Sequence, residues 1–398
     1  MSRSRVFVSL CSVVFLVNFG RVVFAPLLDP LAGAFDLTES TAGLIATLAW
    51  LGSALPRIPT GYLLTRVERH RVVLGTGAVL SAAAGLTAFA NSVLTLGAGA
   101  FLMGVASGAY FIAANPLVTE LYPQRVGRVI GVHGTASQLA AVVAPLFVGA
   151  VLLTATWREV FASISLVAAL VTVGFYLAAR RADLPDVGSA DRDLLAAARR
   201  QWPIIVSGIA ILGAAGFVWQ GLFNFYVTYV TATKSVDAGT ARNLLTVIFA
   251  AGVPAFWVTG RLADRFSHVP LMLAIFAGFV ASLLALTVAE GLLALTAATV
   301  AMGYVAHSFF PALDTYLLDS LPDENRASAY SVYSGVMMIA QATGSFVLGS
   351  LVESGLGYDR VFRTFAGGLI VVLAVLVVLW LADVLPEGGR DPSVAHGD

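Results

Sequence analysis

Charge is what this sequence has least of. Only 12% of its 398 residues are Asp, Glu, Lys or Arg, while 58% are hydrophobic. A water-soluble domain carries about 25% charged residues, so this chain has too few to coat a surface facing water. The charges also cancel to a net of zero, which removes any bulk attraction to nucleic acid. Cysteine is nearly missing. Cys11 is the only one; it has no internal disulfide partner and reads as a small packing residue in an apolar run. No G-x-x-x-x-G-K-[ST] phosphate loop occurs, which disfavours ATP-driven work by this chain alone. No Cys/His group has metal-ligand spacing, and nothing implies a cofactor. An enzyme is therefore the least supported class, and a polytopic membrane protein the best supported.

What the chain has instead is long apolar runs. Twelve can be counted, at about 6–28, 42–64, 71–90, 93–115, 129–153, 159–179, 203–230, 241–260, 269–289, 292–316, 328–352 and 361–384. A bilayer span takes roughly 20 apolar residues. The runs are too long for barrel strands and do not alternate polar and apolar residues. Helices satisfy their own backbone groups in lipid, so the expected fold is all-α with twelve transmembrane helices. The first run continues past signal-peptide length without a small-residue cleavage site, and is expected to be a retained span. With the N-terminus inside, sixteen of the 23 basic residues fall in cytoplasmic segments and five in external ones, with Arg21 and Arg57 within spans. That bias places both termini in the cytoplasm of a cell-membrane protein.

The spans form two sets of six, 1–179 and 203–385. Between them, 180–202 is a charged linker in which Asp191 is expected to cap a short amphipathic helix at the inner membrane surface. The tail 386–398, rich in Gly, Pro and charge, is expected to be disordered. The halves also repeat. Gly61-Tyr62-Leu63-Leu64-Thr65-Arg66 returns as Gly260-Arg261-Leu262-Ala263-Asp264-Arg265, an offset of 199 residues. At the same offset Phe24 meets Phe223, Met103-Gly104 meets Met302-Gly303, and Glu120 meets Asp319. Parallel six-helix halves around a shared site are a recurrent transporter plan.

These residues resemble the major facilitator superfamily of secondary transporters over nearly the whole chain. The repeated loop is similar to that family's G-x-L-x-D-R signature, matched fully by Gly260, Leu262, Asp264 and Arg265. In the first copy Thr65 stands where the family has aspartate. Trp157-Arg158-Glu159-Val160-Phe161 resembles the family's W-R-x-x-F. Gly131, Ala140, Ala144-Pro145 and Gly149 echo its antiporter signature, with small residues in place of glycines. The resemblance implies two pseudo-symmetric six-helix bundles, a small-molecule solute, alternating access and action as a monomer. The loops Gly61, Thr65, Arg66 and Gly260, Asp264, Arg265 are expected to act as a conformational latch. Glycine would allow close backbone approach, and the charges would meet helix ends.

Ionisable residues inside spans are functional candidates because burying them is costly. Arg21, with Asn18 one turn earlier, is expected to face a cavity and contact an anionic solute. Trp219, Gln220 and Asn224 in helix 7 and Tyr304 in helix 10 are expected to line it, and Gln220 is the repeat equivalent of Arg21. His307 and Asp314 are seven residues apart, share a helix face and are the candidates for proton coupling. Arg57, between two prolines, resembles the helix 2 arginine region of nitrate/nitrite porters. His133, Gln138 and Tyr333 are further cavity candidates. The leading expectation is a secondary transporter of a small, anionic solute. The alternatives are export of hydrophobic or drug-like compounds, and a non-transporting sensor or scaffold.

Overall fold

The computed structural model describes residues 2–182, 184, 199–200, 202–263, 265–320 and 326–385. The expected linker helix at 191–198 and the tail 386–398 lie outside the described residues. Every regular element among the described residues is a helix. Joined across their breaks, the helices form twelve segments. They are α1 (Ser2–Val22 and Phe24–Phe35), α2 (Glu39–Ala54 and Arg57–Leu63), α3 (Arg69–Ala88), α4 (Val93–Leu121), α5 (Val126–Val151) and α6 (Trp157–Ala179). Next come α7 (Trp202–Gly208, Ile209–Gly213, Ala214–Asn224 and Tyr226–Thr233) and α8 (Ala238–Ala263). The last four are α9 (His268–Val288), α10 (Gly291–Ser320), α11 (Arg326–Ala342 and Gly344–Glu353) and α12 (Tyr358–Leu381). Ten described helices are each long and apolar enough to cross a membrane, and α7, bent by 63° after Asn224, supplies an eleventh. The remaining segment is α2, whose longer piece has 16 residues.

The breaks have local causes in part. Pro26 lacks the amide that would bond the Val22 carbonyl, and α1 is interrupted at Val23. The helix then continues to Phe35 and stops at Asp36, which is left-handed with φ 51°. Pro56 interrupts α2 in the same way. Helix starts are set by side chains. Ser92 and Thr95 cap each other's backbone at the start of α4, as Thr156 and Glu159 do at α6. Arg158, from the W-R-x-x-F stretch, then donates to the Ala88 carbonyl at the end of α3 (2.8 Å).

Contacts divide the chain into two compact units. The first is Met1–Asp191 with Gln220–Thr246 and Ala342–Leu356; the second is Arg192–Trp219, Val247–Gln341 and Gly357–Asp398. In the first unit α4 lies against α2 so closely that a Cβ on Gly104 would strike the Ala49 carbonyl. In the second, a Cβ on Gly303 of α10 would strike the Ile248 carbonyl of α8. Both members of the second pair stand 199 residues after those of the first. The sequence repeat is thus a repeat of packing.

Candidate functional site

In the first unit, Arg21 is 9% exposed and faces α2. Its Nη1 donates to the Ser53 hydroxyl (3.2 Å) and its Nη2 to Asn18 Oδ1 (2.7 Å). Its guanidinium carbon lies 3.9 Å from the centre of the Trp50 ring, a cation–π contact. Asn18 is oriented in turn, donating to the Ser137 carbonyl of α5 (2.7 Å). Arg21 Nε is buried with no hydrogen-bond partner. Among the described residues no carboxylate pairs with it; the ion pairs found join Arg69 to Glu120, and His70 and Arg71 to Glu68. An uncompensated buried charge costs several kcal/mol.

The same network reaches α7 and α11. The Trp50 ring meets the Phe223 ring edge-on at 5.7 Å. Asn224 Nδ2 donates to the Gln220 carbonyl (2.9 Å) and to the Ser345 hydroxyl (3.0 Å), and Ser345 donates to the Gln220 carbonyl (2.9 Å). In this network Trp50 Nε1 and Asn224 Oδ1 are buried without partners, as is Gln138 Nε2 of α5. Buried polar atoms are almost always satisfied.

In the second unit, Trp219 packs with His307 (ring centres 5.5 Å), and Phe249 and Phe256 enclose the imidazole at 5.9 and 6.2 Å. The ring fits because residue 252 is glycine; a Cβ there would lie 2.5 Å from His307 Cγ. His307 Nδ1 is 2.7 Å from the Gly303 carbonyl. A carbonyl only accepts, so Nδ1 carries a proton, and in the neutral ring Nε2 then keeps a lone pair. Tyr304 is half-exposed one turn earlier, and its ring does not take part in the His307 enclosure. The Asp314 side chain lies outside the described ones.

The remaining expected residues have other surroundings. His133 Nε2 is bonded to the Tyr110 hydroxyl (2.9 Å), which itself donates to the Leu10 carbonyl (2.6 Å). This ties α5 to α4 and α1 and gives His133 a packing role. Arg57 Nε reaches back to the Ser53 carbonyl (3.4 Å), across the break in α2. Tyr333 is buried in α11. In the loop copies, the Thr65 hydroxyl donates to the Tyr62 carbonyl (2.8 Å), and Arg66 and Arg265 are exposed. Asp264 lies outside the described residues. Among the described residues no close backbone approach is made at Gly61 or Gly260, where a Cβ would meet nothing within 4 Å. Both residues lie in helix rather than in a turn between packed backbones.

Sequence reasoning missed Trp50, Ser53, Ser345 and Asp29. The first three are ordinary residues of an apolar span, and only the crossing of α1 with α2, and of α2 with α11, brings them to the site. Asp29 left a signal. The expected first span stopped at 28, but α1 runs on to Phe35, and the Asp29 carboxylate accepts a hydrogen bond from the Thr228 hydroxyl. Those two residues are 199 apart, so they are repeat equivalents that meet.

The profile of the Major Facilitator Superfamily matches residues 10–256 and 209–396. The chain is 24% identical to the gentisate transporter of Corynebacterium glutamicum, over 92% of this chain and 85% of that protein. It is 25% identical to a probable sugar efflux transporter of Helicobacter pylori, over 95% and 94% of the two chains. It is also 25% identical to the purine ribonucleoside efflux pump NepI of Salmonella paratyphi C, over 89% of each. Among solved structures it superposes on a bacterial homolog to the human lysosomal transporter Spinster, with TM-score 0.79, 18% identity and coverage of 96% and 97%. The xylose transporter XylE from E. coli superposes with TM-score 0.75, 16% identity and 97% of each chain covered.

Proposed function

The chain belongs to the Major Facilitator Superfamily, is a multi-pass membrane transporter and not an enzyme, and from that premise we propose that it moves a small organic anion by alternating access. The observation that carries the reading is Arg21, a buried guanidinium with a free Nε and no carboxylate partner among the described residues. A carboxylate or similar anion received there would supply the missing charge and acceptor. Trp50 would hold the guanidinium flat, while Asn18, Gln220 and Asn224 would read the polar groups of the solute. A relative that carries gentisate, an aromatic carboxylate, fits the same chemistry. Trp219 and Tyr304 are kept as flanking contacts, and Gln138 supplies an unpaired donor.

Within this reading the halves 1–179 and 203–385 move about the site, with both termini cytoplasmic and one chain acting as a monomer. The loops at Thr65-Arg66 and Asp264-Arg265 bias the two states. His307, whose Nε2 keeps a lone pair, takes the coupling proton, with Asp314 two turns further along α10.

Uptake by proteoliposomes tests the reading, with gentisate, a hexose and a purine ribonucleoside as separate probes, each with and without an inward proton gradient. Saturable uptake of the acid is expected, falling at least about tenfold in Arg21→Gln, the loss typical of a charge-assisted hydrogen bond. His307→Gln is expected to remove the response to the gradient while leaving exchange intact, and Asp264→Asn to slow all modes. Transport of a neutral probe that survives Arg21→Gln would show that the solute is not an anion.

A further inference from the structure

Helix α11 is interrupted at Thr343, before the pair Gly344-Ser345 and without a proline, and α2 reaches into the break. In an unbroken helix the Phe346 amide would donate to the Ala342 carbonyl four residues back. Here it donates to the Thr47 hydroxyl (3.2 Å), and that hydroxyl donates to the Ala342 carbonyl (2.8 Å). One side-chain oxygen from α2 has entered the hydrogen-bond ladder of α11, which is a recognised cause of helix irregularity. Thr47 is 3% exposed, so water scarcely competes for the position.

The surroundings commit both helices to this contact. One turn before Thr47, a Cβ on Gly43 would overlap the Ser345 carbonyl; one turn after Ser345, a Cβ on Gly349 would overlap the Glu39 carbonyl. At the far end of the pair the Ser40 amide donates to Glu353 Oε2 (3.1 Å). The wedge also adjoins the solute site. Ser345, two residues past the break, bonds Gln220 and Asn224, and Trp50, one turn along α2 from Thr47, stacks on Arg21.

We propose that Thr47 is the wedge of the external gate, its hydroxyl interrupting the α11 ladder and holding α2 and α11 together while the outer side is closed. When the hydroxyl withdraws, the Phe346 amide returns to the Ala342 carbonyl and the α11 ladder closes. The freed hydroxyl bonds the Gly43 carbonyl on its own helix, the ordinary back-bond of a helical threonine. Every backbone group is satisfied in both states, so the two differ by little and a solute on the Trp50 and Asn224 side can tip the balance. The wedge rests on the reading that α2 and α11 part during transport, with this end facing outward. It does not depend on the charge of the solute.

The test is a distance measurement without solute. In a Cys11→Ser background, spin labels are placed at Thr38 and Ser354, both exposed, near the outer ends of α2 and α11. Pulsed electron resonance then reports their separation in lipid nanodiscs. Thr47→Val, which keeps the shape and removes the hydroxyl, is expected to raise the ratio of separated to closed molecules about tenfold, as loss of a buried hydrogen bond implies. Thr47→Ser is expected to match the unmodified chain, and Gly43→Ala to open the pair as Thr47→Val does. A Thr47→Val distribution identical to the parent, or a Thr47→Ser distribution shifted with it, overturns the wedge. Thermal unfolding of the same variants separates gating from folding. The wedge requires Thr47→Val to remain folded at the assay temperature while its distances change. Loss of anion transport in Arg21→Gln leaves these distances untouched, so the two proposals fail independently.

Discussion

Arg21 and His307 show how one residue's neighbours decide what its chemistry is for. Among the described residues, the Arg21 side chain is held by neutral groups, Asn18, Ser53 and the Trp50 face. Such a residue is poor for stability and useful for a ligand. Replacing a buried charge by an apolar side chain of similar length is often neutral or stabilising. Arg21→Met is accordingly expected to unfold no earlier than the parent in a thermal scan, by a margin of about 0–2 kcal/mol, while transport is lost. A large drop in unfolding temperature would mean that the arginine braces the fold. Arg21, Asn18, Gln220 and Asn224 were legible from sequence because polar side chains stand out in apolar runs. Trp50 was not, since an aromatic ring in such a run looks the same whether it meets lipid, a neighbouring helix or a guanidinium.

Helices show a similar division. Prolines announce the breaks in α1 and α2, because each removes an amide donor from its own ladder. The break in α11 stands at Gly344-Ser345, a pair that weakens a helix, but the oxygen that enters its ladder belongs to Thr47, 295 residues earlier in the chain. The π-helical turn Ile209–Gly213 in α7 is likewise hidden. Its Leu212 carbonyl accepts from Gln341 of α11 (3.0 Å), and Gly216 leaves room for that side chain. The pairing of α8 with α10 gives a measurable case. Gly252→Ala is expected to cost about 1–3 kcal/mol, because its methyl enters the space of the His307 ring. His307→Ala in the same chain is expected to recover part of that loss, giving a coupling of about 0.5–3 kcal/mol in a double-mutant cycle of thermal unfolding. Additive losses would mean that the two positions do not share that space.

For the whole molecule, the repeat is the organising fact. The 199-residue offset relates the Gly104–Ala49 crossing to the Gly303–Ile248 crossing, and Asp29 to the Thr228 that it contacts. The basic residues add an orientation, with sixteen of 23 on one predicted side. In a Cys11→Ser background, cysteine at Ser354 is expected to react with an impermeant maleimide on intact cells, and cysteine at Arg3 only after permeabilisation. The reverse pattern would invert the topology and move the α2–α11 gate to the cytoplasmic side. Composition alone determined the class, since a chain with 12% charge cannot face water on all sides. Run length and spacing determined the helices and their repetition, because both are properties read along the chain. The partners of Arg21, the enclosure of His307 and the oxygen inside the α11 ladder were decided by tertiary structure alone. Each is a meeting of side chains from different helices, and hydropathy along a helix records that a residue is apolar without recording what stands opposite it.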